Sequence, residues 1–354
     1  MTLLTADLDT PAVTIDLDRL ERNIQRLQAY CDAHGLRNRP HIKTHKIPAI
    51  AHMQVAAGAV GITCQKVGEA EVMAAAGLRD ILITYNILGR AKLERLMRLT
   101  TQATIAVVAD SALTVRGLGE AAHAEGRTLC VLVECDTGGG RVGVQTPQAA
   151  LELGQLIAAS PGLRFGGLMT YPIPPAMAQW LLTCHELFKG AGLPIPMVSG
   201  GGTPRMLASH ETPGVTEIRA GTYAYMDGMC VDAGAATWDD CAQRVAVTVA
   251  SRPTSDRAIL DGGSKTFTND LIGGKVENGY GYIVEYPQAR FYSQSEEHGH
   301  VDLSACDHKP TVGERVTVIA NHCCATTNLH DEVYGVRAGR VEAVWPVAAR
   351  GKIR

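Results

Sequence analysis

Short runs rich in β-branched residues alternate with helix-length segments from about residue 12 to residue 230, and this alternation limits the folds open to the chain. Strands that alternate with helices pair in parallel, because each helix carries the chain back to the start of the sheet. After an opening run at residues 12–16, strand-like runs follow at residues 40–43, 60–64, 81–85, 105–108, 129–134, 165–170, 196–199 and 216–219. These eight runs predict a (β/α)8 TIM barrel, since a doubly wound sheet would normally carry a glycine-rich turn after its first strand.

After about residue 235 the pattern changes to strand-like runs joined by glycine- and aspartate-rich turns, with no convincing helix between them. The runs at residues 245–251, 258–261, 282–284, 289–292, 315–319 and 341–345 are typical of a β-rich domain. We therefore predict an α/β chain in two domains. The barrel covers residues 12–235, and a C-terminal domain of the β-barrel or sandwich type covers residues 236–354 and is completed by residues 1–11.

The composition narrows the functions open to the chain. Its 354 residues carry a formal net charge of −3, which gives no basic field for nucleic acid, and no apolar run reaches the roughly 18 residues of a membrane span. The N-terminus lacks the basic start and apolar core of a signal peptide, and the ten cysteines form no C-x-x-C pair. We expect reduced thiols, a cytoplasmic location, and no nucleic-acid or membrane partner.

The segment from Arg39 to Lys46 follows the first predicted barrel strand and surrounds Lys43 with basic side chains. Nearby cations and desolvation disfavour the ammonium form of a lysine, which leaves its amine nucleophilic at neutral pH. Such a lysine suits imine chemistry with an aldehyde cofactor. The segment alone is equally compatible with a solvated basic surface, so its interpretation depends on the other strand ends, where barrel enzymes carry their chemistry.

Polar and glycine-rich segments follow the later predicted strands. Ser199-Gly-Gly-Gly-Thr203 precedes a predicted helix, and its glycines would let backbone amides approach a phosphate closely. Gly221 and Tyr223 follow the next strand, and barrels often bind phosphate between the loops after their last two strands. The strand ends therefore predict a phosphate-bearing cofactor held by Gln65, Arg141, Tyr171, Ser199, Gly201, Gly202, Gly221 and Tyr223.

His322 and Cys324 lie at positions i and i+2, so their side chains would project to the same face if the segment is extended. Such a pair is a candidate two-residue metal site. Two protein ligands leave other coordination positions of the metal open for substrate and water, as a catalytic metal requires. A short H-x-C pattern also occurs by chance in a chain with ten cysteines. From the residues alone, a structural role for the pair is the simpler interpretation.

Several motifs, taken in order, resemble the fold type III pyridoxal-phosphate (PLP) enzymes, the alanine-racemase-like barrels. Within them the chain is most similar to the D-threonine aldolase and D-serine dehydratase branch. The likeness runs through nearly the whole chain and rests on Asp9-Thr-Pro11, Arg39-Pro-His-Ile-Lys43-Thr-His45, Gly68-Glu-Ala70, Ser199-Gly-Gly-Gly-Thr-Pro204, Arg219-Ala-Gly-Thr-Tyr223, Asp261-Gly-Gly-Ser-Lys265, Ser295-Glu-Glu-His-Gly299 and Asn321-His-Cys-Cys324.

The resemblance implies a role for each of the candidate residues. It implies that Lys43 forms the imine with PLP, that Arg141 contacts the phenolic side of the cofactor, and that Tyr171 approaches the pyridine nitrogen. The phosphate would be surrounded by Ser199, Gly201, Gly202, Gly221 and Tyr223. His322 and Cys324 would hold a divalent metal (Mn²⁺, Zn²⁺ or Mg²⁺) that chelates the substrate β-hydroxyl. The expected function is a PLP- and metal-dependent lyase of D-β-hydroxy-α-amino acids, with retro-aldol cleavage to glycine and an aldehyde preferred.

One departure from the branch leaves the general base open. Many members carry a histidine a few residues beyond the tyrosine of the sixth strand, whereas here no histidine follows Tyr171 before His185. His45, His298 or a metal-bound hydroxide could take the role, and His45 stands beside Lys43 as a catalytic candidate.

Three other functions and the assembly complete the expectations. A dehydratase for D-serine or D-3-hydroxyaspartate, giving a keto acid and ammonia, is the second function, and an amino-acid racemase is the third. A PLP carrier is the non-enzymatic alternative, but the long second domain argues against it. We expect a homodimer.

Overall fold

A computed structural model describes residues 3–354 of the chain, which form two compact units. The barrel unit contains residues 26–43, 48–221 and 351–354. The β unit contains the residues up to Gln25 together with 44–47 and 222–350. The chain passes from one unit to the other five times, and two of these passages are at Lys43–Thr44 and at Gly221–Thr222.

The strands, numbered along the chain, are β1 (Ala12–Asp16), β2 (Arg37–Asn38), β3 (Ile62–Cys64), β4 (Asp80–Ile83), β5 (Thr104–Ala109), β6 (Leu129–Cys135), β7 (Leu163–Thr170), β8 (Val198–Gly200), β9 (Glu217–Ile218), β10 (Gln243–Thr254), β11 (Arg257–Leu260), β12 (Gly281–Ile283), β13 (Arg290–Gln294), β14 (Gly299–Asp302), β15 (Arg315–Ala320), β16 (Glu332–Arg337) and β17 (Arg340–Pro346). The α-helices are α1 (Leu17–Ala33), α2 (Pro48–Ala56), α3 (Val67–Ala75), α4 (Arg90–Leu99), α5 (Ala112–Ala124), α6 (Pro147–Ala159), α7 (Ala178–Gly190), α8 (Gly228–Asp232), α9 (Ser264–Phe267) and α10 (Cys323–Leu329).

The barrel unit is built on a parallel sheet with the strand order β2-β9-β8-β7-β6-β5-β4-β3. Hydrogen bonds also join the two ends of this order, because Thr63 N donates to Pro40 O at 2.8 Å and Val60 N donates to Asn38 O at 2.9 Å. Inside, the buried side chains of Leu82, Val108, Leu132 and Met169 pack together. The sequence-based prediction of a (β/α)8 barrel is confirmed, with α2 to α7 following β2 to β7 and a 3-10 helix, Thr203–Glu211, following β8.

The first barrel strand is shorter than the predicted run at residues 40–43 and lies entirely before it. β2 ends at Asn38, and Lys43 lies instead on a single 3-10 turn, Ile42–Thr44. Backbone hydrogen bonds to both neighbouring segments nevertheless continue past β2, because His41 N donates to Ala220 O at 3.0 Å and Pro40 O accepts from Thr63 N at 2.8 Å. Lys43 thus sits on a short turn beyond the strand rather than on its last residue.

The β unit is built on a second sheet with the order β13-β14-β11-β10-β1-β16-β17, in which β15 also pairs with β10 and β12. All pairings are antiparallel except that of β1 with β16. This result confirms the predicted β-rich fold. β1, the run that opened the strand-helix alternation in the sequence, is a central strand of this sheet.

None of the helices in residues 3–354 combines the length and the apolar character needed to cross a bilayer. All ten cysteines are free thiols, as the sequence led us to expect, and most of them are buried.

A substitution at Gly167 on β7 tests how tightly the barrel is packed. Its φ is +120°, and a Cβ at this position would lie 2.0 Å from Met197 O, the acceptor of the hydrogen bond from Leu168 N. We expect Gly167→Ala to lower the free energy of unfolding by roughly 2–4 kcal/mol, measured by urea denaturation. A Cβ on Gly190, at the end of α7, would meet nothing within 4 Å among residues 3–354 outside its own helix, so Gly190→Ala should instead stabilise by up to about 1 kcal/mol. Equal midpoints for the two variants would contradict this packing.

Candidate active site

The turn that carries Lys43 is stabilised by the imidazole of His41, which is in turn hydrogen-bonded to the side-chain amide of Gln65. The Lys43 side chain is exposed, whereas Ile42 and His41 are buried. His41 Nδ1 accepts a hydrogen bond from Lys43 N at 3.4 Å, and its Nε2 donates to Gln65 Oε1 at 3.1 Å. An imidazole that accepts on one nitrogen and donates on the other is the neutral form. His41 therefore supports the lysine turn as a neutral ring.

Gln65, which follows β3, is fixed by several contacts within the barrel unit. Its Nε2 donates to Thr84 O at 2.9 Å, while its main-chain N donates to Glu69 Oε2 at 2.7 Å. Glu69 lies in the first turn of α3, where a carboxylate satisfies backbone N–H groups that have no partner within the helix. The structure thus brings Lys43, His41 and Gln65 into one network at the C-terminal edge of the barrel.

Arg141 and Tyr171 form a second group at the same edge. The guanidinium carbon of Arg141 lies 5.3 Å from the centre of the Tyr171 ring. The loop that carries Arg141 is shaped by Asp136, whose Oδ1 accepts hydrogen bonds from Gly138 N, Gly139 N and Gly140 N at 3.0, 2.8 and 3.1 Å. Both predicted cofactor residues therefore project from loops after neighbouring strands, and both side chains are exposed.

The glycine run after β8 is packed so closely that side chains are excluded. A Cβ on Gly200 would lie 2.1 Å from Ile173 Cδ1, and a Cβ on Gly202 would lie 2.6 Å from Tyr171 Cε2. Gly201 has a φ of +77°, which favours glycine. Gly202 immediately precedes the 3-10 helix Thr203–Glu211. The absence of side chains leaves bare backbone beside the Tyr171 ring, which is the surface that a phosphate cradle requires.

Ser199 is placed differently from the other predicted phosphate residues. It is fully buried, and its Oγ donates to Glu217 Oε1 at 2.6 Å and accepts from Arg219 Nε at 2.9 Å. Its hydroxyl is therefore engaged inside the barrel. Gly221, the last of the predicted residues in this unit, is buried three residues beyond the end of β9.

In the β unit, His322 and Cys324 lie at the start of a helix and not on an extended strand, so the expectation of an extended segment was wrong. Only His322 has extended backbone, as the residue that precedes α10, and Cys323 and Cys324 form the first turn of that helix. The segment turns here because Asp227 Oδ2 accepts from Cys323 N at 3.0 Å, which satisfies one N–H group of the helix start.

Asp227 is the residue of this group that sequence reasoning missed. It is 1% exposed, and its Oδ2 also lies 3.2 Å from His322 Nδ1. Histidines that bind a metal through one ring nitrogen usually have the other nitrogen held by such a carboxylate. The sequence gave only a weak indication of this role, because an aspartate before Gly228-Met-Cys230 can simply cap a helix. Asp227 does cap α8, accepting a hydrogen bond from Cys230 N at 2.9 Å.

Hydroxyl groups surround the sulfur of Cys324 within the β unit. Thr44 Oγ1 lies 3.2 Å and Thr222 Oγ1 lies 3.6 Å from Cys324 Sγ. A hydrogen bond from Cys323 holds the pKa of Cys324 well below its usual range, and His322 and Thr44 act in the same direction. Burial opposes this effect but does not overcome it. Burial lowers the pKa of His322, but Asp227 and Cys324 outweigh burial and raise that pKa to about 10. The lowered pKa of Cys324 favours its thiolate form, and a cation bound by the pair would take the place of the proton on His322.

Of the remaining predicted residues of the β unit, His45 and Tyr223 are buried, whereas the candidate base His298 is exposed. His45 is fully buried, and its Nδ1 accepts from Ile47 N at 3.0 Å, which places the proton of a neutral ring on Nε2. In that form His45 donates through Nε2, so this arrangement favours a donor over a proton acceptor. Tyr223 is fully buried on the 3-10 turn Thr222–Ala224.

Cys324 should be the most reactive thiol of the protein at low pH. Because its pKa is lowered, we expect chelator-treated protein to be alkylated by iodoacetamide at Cys324 first, at pH 6, with little further increase up to pH 8. Burial raises the pKa of Cys31 and of Cys184 to about 12, so both should stay unlabelled. Peptide mass spectrometry would locate the label, and Cys324→Ser is the control. A rate at Cys324 that rises tenfold per pH unit between 6 and 8 would contradict a thiolate.

Comparison with known proteins places the chain in a family. The family description "Alanine racemase, N-terminal domain" matches residues 15–228, and a serine dehydratase domain description matches residues 242–336. The chain is 36% identical to a D-threonine aldolase of an Arthrobacter species, over 98% of this chain and 94% of that protein. It is 34% identical to a 3-hydroxy-D-aspartate aldolase of Paracoccus denitrificans, over 98% and 93% of the two chains. It is also 34% identical to a D-threo-3-hydroxyaspartate dehydratase of a Delftia species, over 92% and 93%.

A solved structure agrees with these relatives. The crystal structure of D-threonine aldolase from Filomicrobium marinum superposes with a TM-score of 0.92 at 35% identity, and covers 100% of this chain and 99% of that chain. The chain therefore belongs to the alanine racemase N-terminal domain family, and within it to the fold type III PLP-dependent lyases.

Proposed function

We propose that the protein is a PLP- and divalent-metal-dependent lyase that cleaves D-β-hydroxy-α-amino acids to glycine and an aldehyde. The observation that carries the proposal is the grouping of His322 and Cys324 in the β unit, with the buried carboxylate of Asp227 3.2 Å from His322 Nδ1 and the Thr44 hydroxyl 3.2 Å from Cys324 Sγ. A racemase removes only the α-proton and has no need for such a pair. A lyase that acts on a β-hydroxyl does, because a metal can bind that oxygen.

The barrel unit fits PLP through the residues at its C-terminal edge. Lys43, exposed on its turn, would hold the cofactor covalently through its amine. Arg141 would donate to the phenolic oxygen, and the Tyr171 hydroxyl would face the pyridine nitrogen. The backbone of Gly201 and Gly202, kept bare by the close packing of Tyr171, would bind the phosphate, with Gly221 contributing from the segment after β9. When bound, PLP withdraws electrons from the α-carbon of an amino acid.

His322 and Cys324 fit a divalent metal by the chemistry of their donor atoms. Asp227 engages Nδ1 of His322, which leaves Nε2 as the ligand nitrogen. Within residues 3–354 no set of three or more histidine, cysteine, aspartate or glutamate side chains is arranged as a metal site. A metal on this pair would take its other ligands from water and substrate, and a thiolate ligand favours a softer ion such as Zn²⁺. Such an ion supplies a Lewis acid for the substrate hydroxyl.

The loop after Tyr171 does not supply the proton acceptor that retro-aldol cleavage requires. Residues 172–180 read Pro-Ile-Pro-Pro-Ala-Met-Ala-Gln-Trp and contain no side chain that takes up a proton near neutral pH. The hydroxyls of Thr44 and Thr222 beside Cys324 are groups of the β unit that can relay a proton, since a hydroxyl both donates and accepts.

Dehydration to a keto acid and ammonia is the second candidate function. Two observations favour it: the thiolate at Cys324, which selects a softer metal, and the likeness to a D-threo-3-hydroxyaspartate dehydratase over 92% of the chain. The homodimer, the cytoplasmic location and the domain bounds stay predictions from the sequence.

Product analysis separates the two functions. Protein supplied with PLP and either Mn²⁺ or Zn²⁺ should release glycine and an aldehyde from D-threonine and from D-threo-3-hydroxyaspartate. Keto acid with ammonia would make the protein a dehydratase. Exchange of the α-proton without either product would leave a racemase and contradict the proposal.

The metal pair should be needed for turnover but not for cofactor binding. We expect His322→Ala and Cys324→Ala to lose roughly a hundredfold or more in turnover while PLP stays bound, because the Lewis acid is lost. The exposed His123 on α5 supplies the control variant His123→Ala, which should keep full turnover. Full activity of chelator-treated wild type would show that no metal takes part.

Lys43 should be the attachment point of the cofactor. In Lys43→Ala the visible absorbance of the PLP imine should disappear, and borohydride reduction should no longer fix the cofactor to the peptide that contains residue 43. Lys265→Ala, which removes an exposed lysine of the β unit, should keep both signals. A cofactor that is still fixed by borohydride in Lys43→Ala would show that another lysine does the chemistry.

A further inference from the structure

A small cavity lies beside the ends of β3 and β4, at the C-terminal edge of the barrel unit. Gln65 and Lys66, which follow β3, line it together with Tyr85 and Asn86, which follow β4. Lys92, in the first turn of α4, lines it as well. Barrel enzymes carry their chemistry on this edge, so the cavity shares it with the residues predicted to hold the cofactor.

The rest of the cavity wall is apolar or fixed backbone. Apolar side chains supply most of it: Val67, Ile83, Ile87 and Ile353. Arg354 also lines the cavity, and its main-chain oxygen accepts hydrogen bonds from Gly68 N at 2.9 Å and from Arg95 Nη2 at 3.2 Å. These bonds fix residues 353 and 354 against the start of α3, so the cavity is preformed within the barrel unit.

The ammonium group of Lys66 is positioned by an aromatic ring. Its Nζ lies 3.3 Å from the centre of the Tyr85 ring, which is a cation–π contact. The Tyr85 side chain is 46% exposed, so the contact is open to solvent. A ring face attracts a cation without supplying a counter-charge, and Lys66 therefore remains able to bind an anion.

The acidic side chains near the two lysines are engaged elsewhere. Glu69 Oε2 accepts from the main-chain N of Lys66 at 3.2 Å, and Glu94 pairs with Arg90 at 2.6 Å. In the part of the chain that the structure describes, neither Lys66 nor Lys92 forms an ion pair with a carboxylate. Two lysines without a counter-ion line one cavity, which suits an anionic group.

Gln65 connects the cavity with the turn that carries Lys43. Its Oε1 accepts from His41 Nε2 at 3.1 Å, and His41 Nδ1 accepts from Lys43 N at 3.4 Å. The residues predicted to bind the phosphate, the ring nitrogen and the phenolic oxygen of PLP follow β6 to β9, whereas the lysines lie after β3 and at the start of α4. The cavity is therefore beside the predicted attachment point and apart from these cofactor contacts.

We propose that this cavity is a specificity site for a second carboxylate of the substrate, bound by Lys66 and Lys92. The protein then prefers a dicarboxylic D-β-hydroxy-α-amino acid, such as D-threo-3-hydroxyaspartate, to D-threonine, which has a methyl group where the other has a carboxylate. The inference rests on the proposed function, because it names the substrate class of that same site.

Two amino acids without a β-hydroxyl measure binding apart from turnover. D-Aspartate carries the second carboxylate, and D-2-aminobutyrate carries a methyl group in its place. Their dissociation constants for the PLP-loaded protein are obtained from the change in the visible spectrum of the cofactor. We expect D-aspartate to bind about tenfold more tightly, since two partly exposed lysines each contribute about threefold. The preference should shrink in about 0.5 M NaCl, which screens the charges.

Substitution of the lysines tests the assignment. Lys66→Gln and Lys92→Gln each remove one charge, and each should lower the preference for D-aspartate about threefold. The ratio of kcat/KM for D-threo-3-hydroxyaspartate to that for D-threonine should fall by the same factor. Lys66→Arg should keep most of the preference. Lys189→Gln, which removes an exposed lysine of α7, is the matched control and should keep the wild-type preference.

The possible failures are distinguishable. Equal affinity of wild type for the two amino acids, or a wild-type preference in both glutamine variants, would overturn the inference and leave the proposed function intact. Weaker PLP binding in these variants with an unchanged preference for D-aspartate would assign the lysines to the cofactor and also overturn it. Wild type that binds no PLP would contradict the proposed function, and the specificity site with it.

Discussion

The carboxylate of Glu217 lies fully buried in the barrel and is bonded to side chains from both neighbouring segments. Ser199 at β8 and Arg39 beyond β2 donate to it at 2.6 and 2.9 Å. Because β2 and β8 flank β9 in the sheet, this one charge fixes the place where the last strands of the barrel meet the first. An ionised carboxylate stays buried only with such partners. The strand ends that lead to Lys43 and to the glycine cradle depend on it.

The proposed chemistry is divided between two groups of residues, each built within its own unit. In the barrel unit, loops after parallel strands present an exposed lysine, an arginine, a tyrosine and bare glycine backbone. In the β unit, Asp227 orients His322, and threonine hydroxyls surround the thiolate of Cys324. The first group suits an aldehyde cofactor with a phosphate, and the second suits a cation. Chain connectivity joins them directly, since Lys43 is followed by Thr44 and Gly221 by Thr222.

The barrel and the β-rich fold could be predicted because both depend on residue patterns that repeat along the chain. The finer geometry could not. Lys43 lies on a 3-10 turn beyond β2, where its N donates to His41 Nδ1, and the helix after His322 begins where Asp227, far away in sequence, accepts from Cys323 N. The Ser199 hydroxyl is turned inward by Glu217 and Arg219, which no local pattern reveals. Asp227 escaped notice for the same reason, since its partners come together only in the fold.

A crystal structure of the protein grown with PLP and Zn²⁺, with diffraction recorded on both sides of the zinc absorption edge, tests the central claim most directly. The account predicts continuous density between Lys43 Nζ and the cofactor, and an anomalous peak bonded to His322 Nε2 and Cys324 Sγ. Density that joins the cofactor to another lysine, or a zinc peak away from this pair, would contradict it.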